Sequence, residues 1–484
     1  MTRGEELLKS PWALPLLFLV FVGLFALHRL DGLMHPQLWA EDGTIFFHDA
    51  DQYGVLSLFI PRMGYFLTLP RLIALVARQF DPIWAPAIYN YLALLVSALM
   101  GLCLISPRMP GGRLGGLAMA LILLIAPNYS GEVFLTPTNL QWITAPLMVA
   151  LLIKSPPASM ATAVMEAFVM FLIGVTTPFS IVLVPLAGVW VWSFGFRRLV
   201  AASDALETEA GTPYVSFVER ADRFRLMMGA ALTLAAVIQA GAVLHSAHLQ
   251  LQENSNPKPM SLEIIVQAIG FRTAVEAFVP QLPTGNGMVR LVIGILTLCV
   301  LGALALFPGK YRPMRMLLVG VIFAYLGVTL VRCWSMGNTL LDDGLGDRYF
   351  YPIRIQLMWC FLLAGLDAWS AHHWSGIWCG FLLGLAVVAS IRVYRVPPWP
   401  NEHWANYVPA IREGRPVDIP LNPEWVYHYP GRRPVTAGVQ SSKDLAVGHK
   451  VESAEKAVQS QRATAQSPKS KVQEPEVNDP DSTE

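Results

Sequence analysis

Apolar runs long enough to cross a bilayer recur along almost the whole chain, beginning near residues 12, 83, 114, 138, 161, 178, 226, 289, 315, 352 and 374. About 20 apolar residues match about 30 Å of hydrocarbon, where each backbone N–H and C=O must be satisfied within its own segment, which makes a helix the default. The pattern predicts an all-α polytopic membrane protein with about eleven transmembrane helices, in a range of roughly 10 to 13. Composition agrees: the 484 residues are 54% hydrophobic and 14% charged, against about 25% charged in a typical soluble domain. A net charge of +1 offers no field to attract nucleic acid. Cys103, Cys299, Cys333, Cys360 and Cys379 lie within or at the ends of apolar runs. There a thiol acts as a small hydrophobe, and no disulfide framework or zinc spacing is present.

The N-terminal stretch "MTRGEELLKSPWALPLLFLVFVGLFALHRL" has a basic start and an apolar core but no small-residue cleavage site after it. It reads as a retained signal-anchor helix, with Arg3 and Lys9 favouring a cytoplasmic N-terminus. Residues 61–80, "PRMGYFLTLPRLIALVARQF", are apolar but carry Arg62, Arg71 and Arg78. A crossing would put Arg71 near mid-bilayer at about 2.5–3.5 kcal/mol, a cost that an amphipathic helix lying in the interface avoids. Loop charges agree. If this segment does not cross, "SPRMPGGR", "KSPPAS", the block from Phe196 to Arg225 and "FPGKYRPMR" all fall on the cytoplasmic side and hold most of the loop Lys and Arg. If it does cross, the charge rule fails throughout.

An odd number of crossings then leaves the chain beyond about residue 392 outside. The expected organisation is a multi-span domain over 1–392 with an outer loop at 29–82, an extracytoplasmic Trp/Pro-rich cap over 393–431, and a polar tail over 432–484 too poor in large apolar residues to fold.

This topology gathers the unusual polar residues on the outer face. The first outer loop contains "LWAEDGTIFFHDADQYG", with Glu41, Asp42, Asp49 and Asp51, and the second contains Glu132, Asn139 and Gln141. The region from Ala247 to Gly287 adds Glu253, Lys258, Glu263, Arg272 and Glu276, and "RCWSMGNTLLDDGLGDRYFYP" adds Arg332, Asp342, Asp343, Asp347, Arg348, Tyr349 and Tyr351. Cytoplasmic loops offer no phosphate-cradling glycine loop. In "WAEDG" a carboxylate just outside the first helix could accept the proton of a nucleophile, or the pair could be a solvated turn or helix cap. Asp49 and Asp51 read as loop solvation. Arg348 could bind a lipid-linked phosphate with paired hydrogen bonds, with Arg332 a second candidate, or it could snorkel within an aromatic belt. Glu132, Asn139 and Gln141 suit sugar hydroxyls equally as well as helix caps. Residues 259–282 read as a surface-lying amphipathic helix. His48, His245 and His248 have no metal-ligand spacing.

An acidic pair in the first outer loop, after one amphiphilic N-terminal helix and before interfacial helices and a many-span bundle, resembles the GT-C superfamily of membrane glycosyltransferases. The resemblance covers the architecture from about residue 12 to 392, and its sequence-specific part is the "WAEDG" region and "GDRYFYP". It implies transfer of a sugar, with inversion, from a polyprenyl-phosphate donor to a glycan, lipid or protein acceptor on the outer face. The catalytic base would then be Asp42 or Glu41, with Arg348, Tyr349, Arg332, Glu132, Asn139 and Gln141 on the substrates. No cofactor is required, although a divalent cation could bridge Asp42 and a donor phosphate. The expected setting is the bacterial plasma membrane, among its lipids. Two other readings stay open: a lipid-linked polysaccharide polymerase or ligase, dependent on arginines rather than on the acid pair, and a transporter or flippase, which would rely on in-span polar groups such as Glu166, Gln239 and Gln356.

Overall fold

A computed structural model describes residues 3–62, 64–191, 213–250, 261–279, 286–333, 340–341 and 346–431, with side chains in the long helix described over 223–246. Glu253, Lys258, Asp342, Asp343, the side chain of His248 and the tail at 432–484 lie outside the described residues. The chain is a predominantly helical membrane protein. A helix occupies each expected apolar run: Ala13–His28, Ala85–Leu104, Gly112–Ile125, Leu140–Ile153, Met160–Gly174, Phe179–Val191, Pro213–Gln250, Gly287–Leu306, Arg312–Arg332, Asp347–Ser370 and Ser375–Val393. Among the described residues, six stretches are long and apolar enough to cross a membrane: Pro82–Leu104, Arg223–Ser246, Gly287–Leu306, Arg312–Arg332, Asp347–Ser370 and Ser375–Val393. The remaining helices of the series have 13–16 residues and measure roughly 20–24 Å at about 1.5 Å per residue.

Asp347–Ser370 runs through the interior against Arg312–Arg332, Ser375–Val393, Leu140–Ile153 and Gly112–Ile125. Gly287–Leu306 and Ser375–Val393 lie outside it and point Val292, Ile295, Leu296, Ile377, Phe381 and Ile391 outward. Helices apolar on every face suit hydrocarbon and not water.

The first loop is built on consecutive short helices. The chain is helical from Ala40 through Tyr53, with a π segment over Asp42–Phe47, then turns into the 3₁₀ helix Gly54–Phe59. Among the described residues of 61–80 the helix is Thr68–Ala77, about 15 Å long and too short to cross. Its charge is not left at a surface. Arg71 is 1% exposed, and its Nη1 meets Asp49 at 3.0 Å while Arg62 holds the other Asp49 oxygen at 2.9 Å. Asp49 is therefore a buried counter-ion and not the solvating residue that its loop position implied.

Residues 262–278 form Leu262–Ala268, the π segment Ile269–Val275 and Glu276–Phe278. Of their charged residues only Glu263 keeps the exposure expected of a surface-lying helix. Arg272 and Glu276 point into the bundle, where they join Arg354 and Asp347.

Beyond the last long helix, the Trp/Pro-rich segment forms Val408–Glu413 and an antiparallel hairpin of Val417–Leu421 and Trp425–Tyr429, a strand component that the helical periodicity did not foretell. It clamps the first loop. Ala40 N–H donates to the Asn422 carbonyl at 2.7 Å, Trp404 Nε1 donates to the Pro82 carbonyl at 2.8 Å, and Arg412 pairs with Asp81. Leu421 fills the space over Gly43, where a β-carbon would meet its Cδ1 at 2.4 Å.

Removing one partner of a buried pair leaves the other charge uncompensated, whereas an apolar replacement of both is often neutral. Asp49→Ala should lower stability by about 3–5 kcal/mol, and Asp49→Leu combined with Arg71→Met should recover most of it, read by tryptophan fluorescence during thermal unfolding in detergent. An Asp49→Ala protein as stable as wild type would mean that Arg71 reaches water without its partner.

Candidate active site

Glu41 and Asp42 are consecutive on one helical segment, so their side chains leave it roughly 100° apart. Glu41 turns into a cavity at one end of the bundle; it is buried, and its Oε2 has no hydrogen-bond partner among the described residues. Asp42 turns away. Its Oδ1 accepts from the Thr138 backbone N–H at 2.9 Å and from the Thr138 hydroxyl at 2.6 Å, capping the 3₁₀ turn Pro137–Asn139 that opens the next helix. Complete burial pushes the Asp42 carboxyl up to about 7, against the pull of these hydrogen bonds, with the Glu41 charge adding to the rise. Asp42 thus does not line the cavity that Glu41 faces.

The opposite wall comes from two helix ends. Arg332 is the last residue of Arg312–Arg332, and Arg348 and Tyr349 lie in the first turn of Asp347–Ser370; all three line the cavity. Arg348 packs over the Tyr349 ring, which meets Trp142 edge-on at 4.9 Å. Its Nη1 is 2.7 Å from Glu132 Oε2, and its side chain is 23% exposed against 10% for Glu132. Glu132 therefore backs the arginine and does not line the cavity itself. Burial raises the Glu132 carboxyl above its ordinary range; Arg348 opposes that rise and Glu41 adds to it.

Asn139 and Gln141 reach the cavity, but much of their hydrogen bonding is local. Asn139 Nδ2 donates to the Glu132 carbonyl at 2.7 Å and its Oδ1 accepts from Trp142 Nε1 at 3.2 Å; Gln141 Nε2 reaches the Thr138 carbonyl at 3.4 Å. Of the "GDRYFYP" aromatics only Tyr349 faces the site. Phe350 and Tyr351 are wholly buried, and the Tyr351 hydroxyl donates to the Leu123 carbonyl.

The structure adds Tyr65, Thr138 and Trp142 to the lining. Thr138 and Trp142 sit among loop residues already singled out for polarity; Tyr65 carries no local signal. Behind the site lies a second unforeseen feature, a charge network. Asp347 Oδ1 meets Arg354 Nη2 at 2.7 Å and Arg272 Nη2 at 3.8 Å, Arg272 Nη1 meets Glu276 at 3.0 Å, and Arg354 also pairs with Glu276. The Tyr129 N–H donates to Asp347 at 2.6 Å, tying the Glu132 loop to the helix of Arg348. Among the described residues no group of three or more His, Cys, Asp or Glu could hold a metal ion.

Chemically, the cavity sets one carboxylate opposite two guanidiniums, with aromatic and amide groups between them. That arrangement can receive an anion and, beside it, a hydroxyl group whose proton must leave. No family model, curated protein or solved structure matches the chain.

The raised Asp42 carboxyl has a consequence for stability. Between about 3.9 in the unfolded chain and about 7 in the folded one, the folded state binds the extra proton. The stabilisation is full below the lower value and is lost as pH rises through the upper one. Asp42→Asn keeps the acceptor for Thr138 without the charge, so it should reduce the fall in melting temperature between about pH 5 and about pH 8. Thermal unfolding in detergent at both pH values measures this, and an unchanged fall would mean that Asp42 is not its source.

Proposed function

We propose that this protein is an inverting membrane glycosyltransferase of the GT-C kind, transferring a sugar from a polyprenyl-phosphate donor to a glycan, lipid or protein acceptor. The reading carries with it an outward-facing site in the bacterial plasma membrane, a cytoplasmic N-terminus and an extracytoplasmic cap. One observation carries it: Glu41, with an unpartnered carboxylate oxygen, shares a cavity with Arg332 and Arg348.

In the proposed reaction the bond from the anomeric carbon to the phosphate oxygen breaks and its electron pair stays on the phosphate. Arg348 and Arg332 stabilise that growing negative charge with groups already in position. The acceptor oxygen bonds to the opposite face of the anomeric carbon, and its proton passes to Glu41. Asp42 holds the Thr138 turn that shapes the wall, and Tyr349 and Trp142 offer ring faces and edges to the sugar or the isoprenoid. The arrangement favours Glu41 over Asp42 as base, because only Glu41 faces the space where the acceptor would lie.

Of the three in-span polar groups that a transporter would use, two are occupied by structural contacts, whereas the buried side-chain amide of Gln356 has no hydrogen-bond partner among the described residues. Glu166 pairs with Lys154 and Arg108, and Gln239 binds both backbone groups of Phe66.

With a panel of radiolabelled polyprenyl-phosphate sugars and native membranes, Glu41→Gln should cut turnover by about 10²–10⁴-fold, the usual worth of a general base. Asp42→Asn should retain most activity. Full activity in Glu41→Gln, with loss confined to Arg348→Ala, would instead favour a polymerase or ligase that depends on arginine.

A further inference from the structure

We infer that Glu132 takes up one proton from water when a donor phosphate docks on Arg348 and Arg332, so that the site stays neutral while Glu41 remains ionised. The inference rests on the reading that these arginines seat the donor phosphate.

Charge balance carries the argument. Among the described residues, the charged side chains lining or directly backing the cavity are Arg332, Arg348, Glu41 and Glu132. Two positive and two negative charges cancel. A phosphodiester adds one negative charge to a space walled by Phe46, Leu67 and Trp142, where an uncompensated charge is costly. The excess is removed most simply by a proton on one of the two carboxylates. Glu41 has to stay anionic to accept the acceptor's proton. Glu132 has no such task, and its only described ion-pair partner, Arg348 at 2.7 Å, is the group that the phosphate would engage. A guanidinium shared between a carboxylate and a phosphate holds two anions side by side. Protonation of Glu132 removes that repulsion and leaves a carboxyl group able to donate a hydrogen bond.

The groups around Glu132 are consistent with this role. Arg348 and Asp347 act on it from Asp347–Ser370, Glu41 from the first loop and Ser130 from its own loop; Arg348 lowers its proton affinity while Glu41 and Asp347 raise it. Drawing Arg348 toward a phosphate weakens the one strong lowering influence. Asp347 itself is held by Arg354, Arg272 and the Tyr129 N–H, so it is not free to replace Glu132. The remaining rival is Asp42, whose carboxyl lies behind Thr138.

The test is calorimetric titration of the full-length protein in detergent with a polyprenyl methyl phosphodiester, whose charge does not change with pH. Parallel titrations in buffers of different ionisation enthalpy count the protons taken up. Wild type should take up close to one proton per ligand near neutral pH. Its affinity should weaken as pH rises, approaching the limit of about tenfold per pH unit for one coupled proton. Glu132→Gln should take up none and bind with an affinity that does not change with pH, while Asp42→Asn should still take up the proton. Binding by wild type without proton uptake overturns the inference and leaves the donor reading intact; so does a proton that disappears in Asp42→Asn but persists in Glu132→Gln. The wild-type count decides even if Glu132→Gln does not fold. Failure of the phosphodiester to bind wild type at all overturns the donor reading, and this inference with it.

Discussion

Two arginines and two carboxylates buried together hold the end of the bundle where the cavity forms. Arg272, Glu276, Asp347 and Arg354 come from a broken helix and a long one, and Arg354 also donates to the carbonyls of Arg272 and Pro127 at 2.9 Å. None could be dry alone, since a buried charge without its partner costs about 3–5 kcal/mol. Each therefore fixes the others. Through the Tyr129 N–H and the Pro127 carbonyl the same network fixes the loop that carries Glu132, and through Asp347 it fixes the turn that carries Arg348.

The pairing of a structural residue with a site residue occurs twice at this end. Asp347 locks into the network while the next residue, Arg348, turns to the cavity; Asp42 locks onto Thr138 while the preceding residue, Glu41, turns to the cavity. Consecutive helical side chains diverge by roughly 100°, so an anchor beside a working group sets the rotation of the helix about its axis. A site group on a rigidly rotated helix loses less freedom on meeting a ligand than one on a loose loop.

Much of this was legible in the sequence, and what was hidden has a common cause. Helix positions follow from local apolar runs, because the length of hydrocarbon to be crossed is a local constraint. The polar residues gathered on one face by the charge rule include Glu41, Asn139, Gln141, Arg332, Arg348 and Tyr349, which do share a cavity. Burial, however, depends on partners distant in the chain. Asp49 looked like solvent decoration because Arg71 stands 22 residues away, and Arg272 looked like a surface charge because Arg354 and Asp347 come from another helix. Glu41 and Asp42 could not be told apart from composition, since only the direction of the helix separates them. Tyr65 gave no signal at all: its role comes from where Tyr65 and Leu67 meet the cavity.

The cap supplies the last constraint. The helix bearing Glu41 begins where Ala40 N–H meets the Asn422 carbonyl, and two residues past Glu41 the hairpin presses Leu421 into the space that Gly43 leaves by lacking a β-carbon. Farther along, Tyr429 donates to Asp51 at 3.1 Å and the Tyr427 hydroxyl lies 3.2 Å from His48. A glycine at that position would ordinarily loosen a helix by about 1 kcal/mol relative to alanine. Here it allows close packing by a strand from the far end of the chain, and buried leucine contact offsets the loss. The orientation of the proposed base therefore depends on contacts from a segment that follows the last long helix, so the wall of the cavity draws on residues from both ends of the described chain.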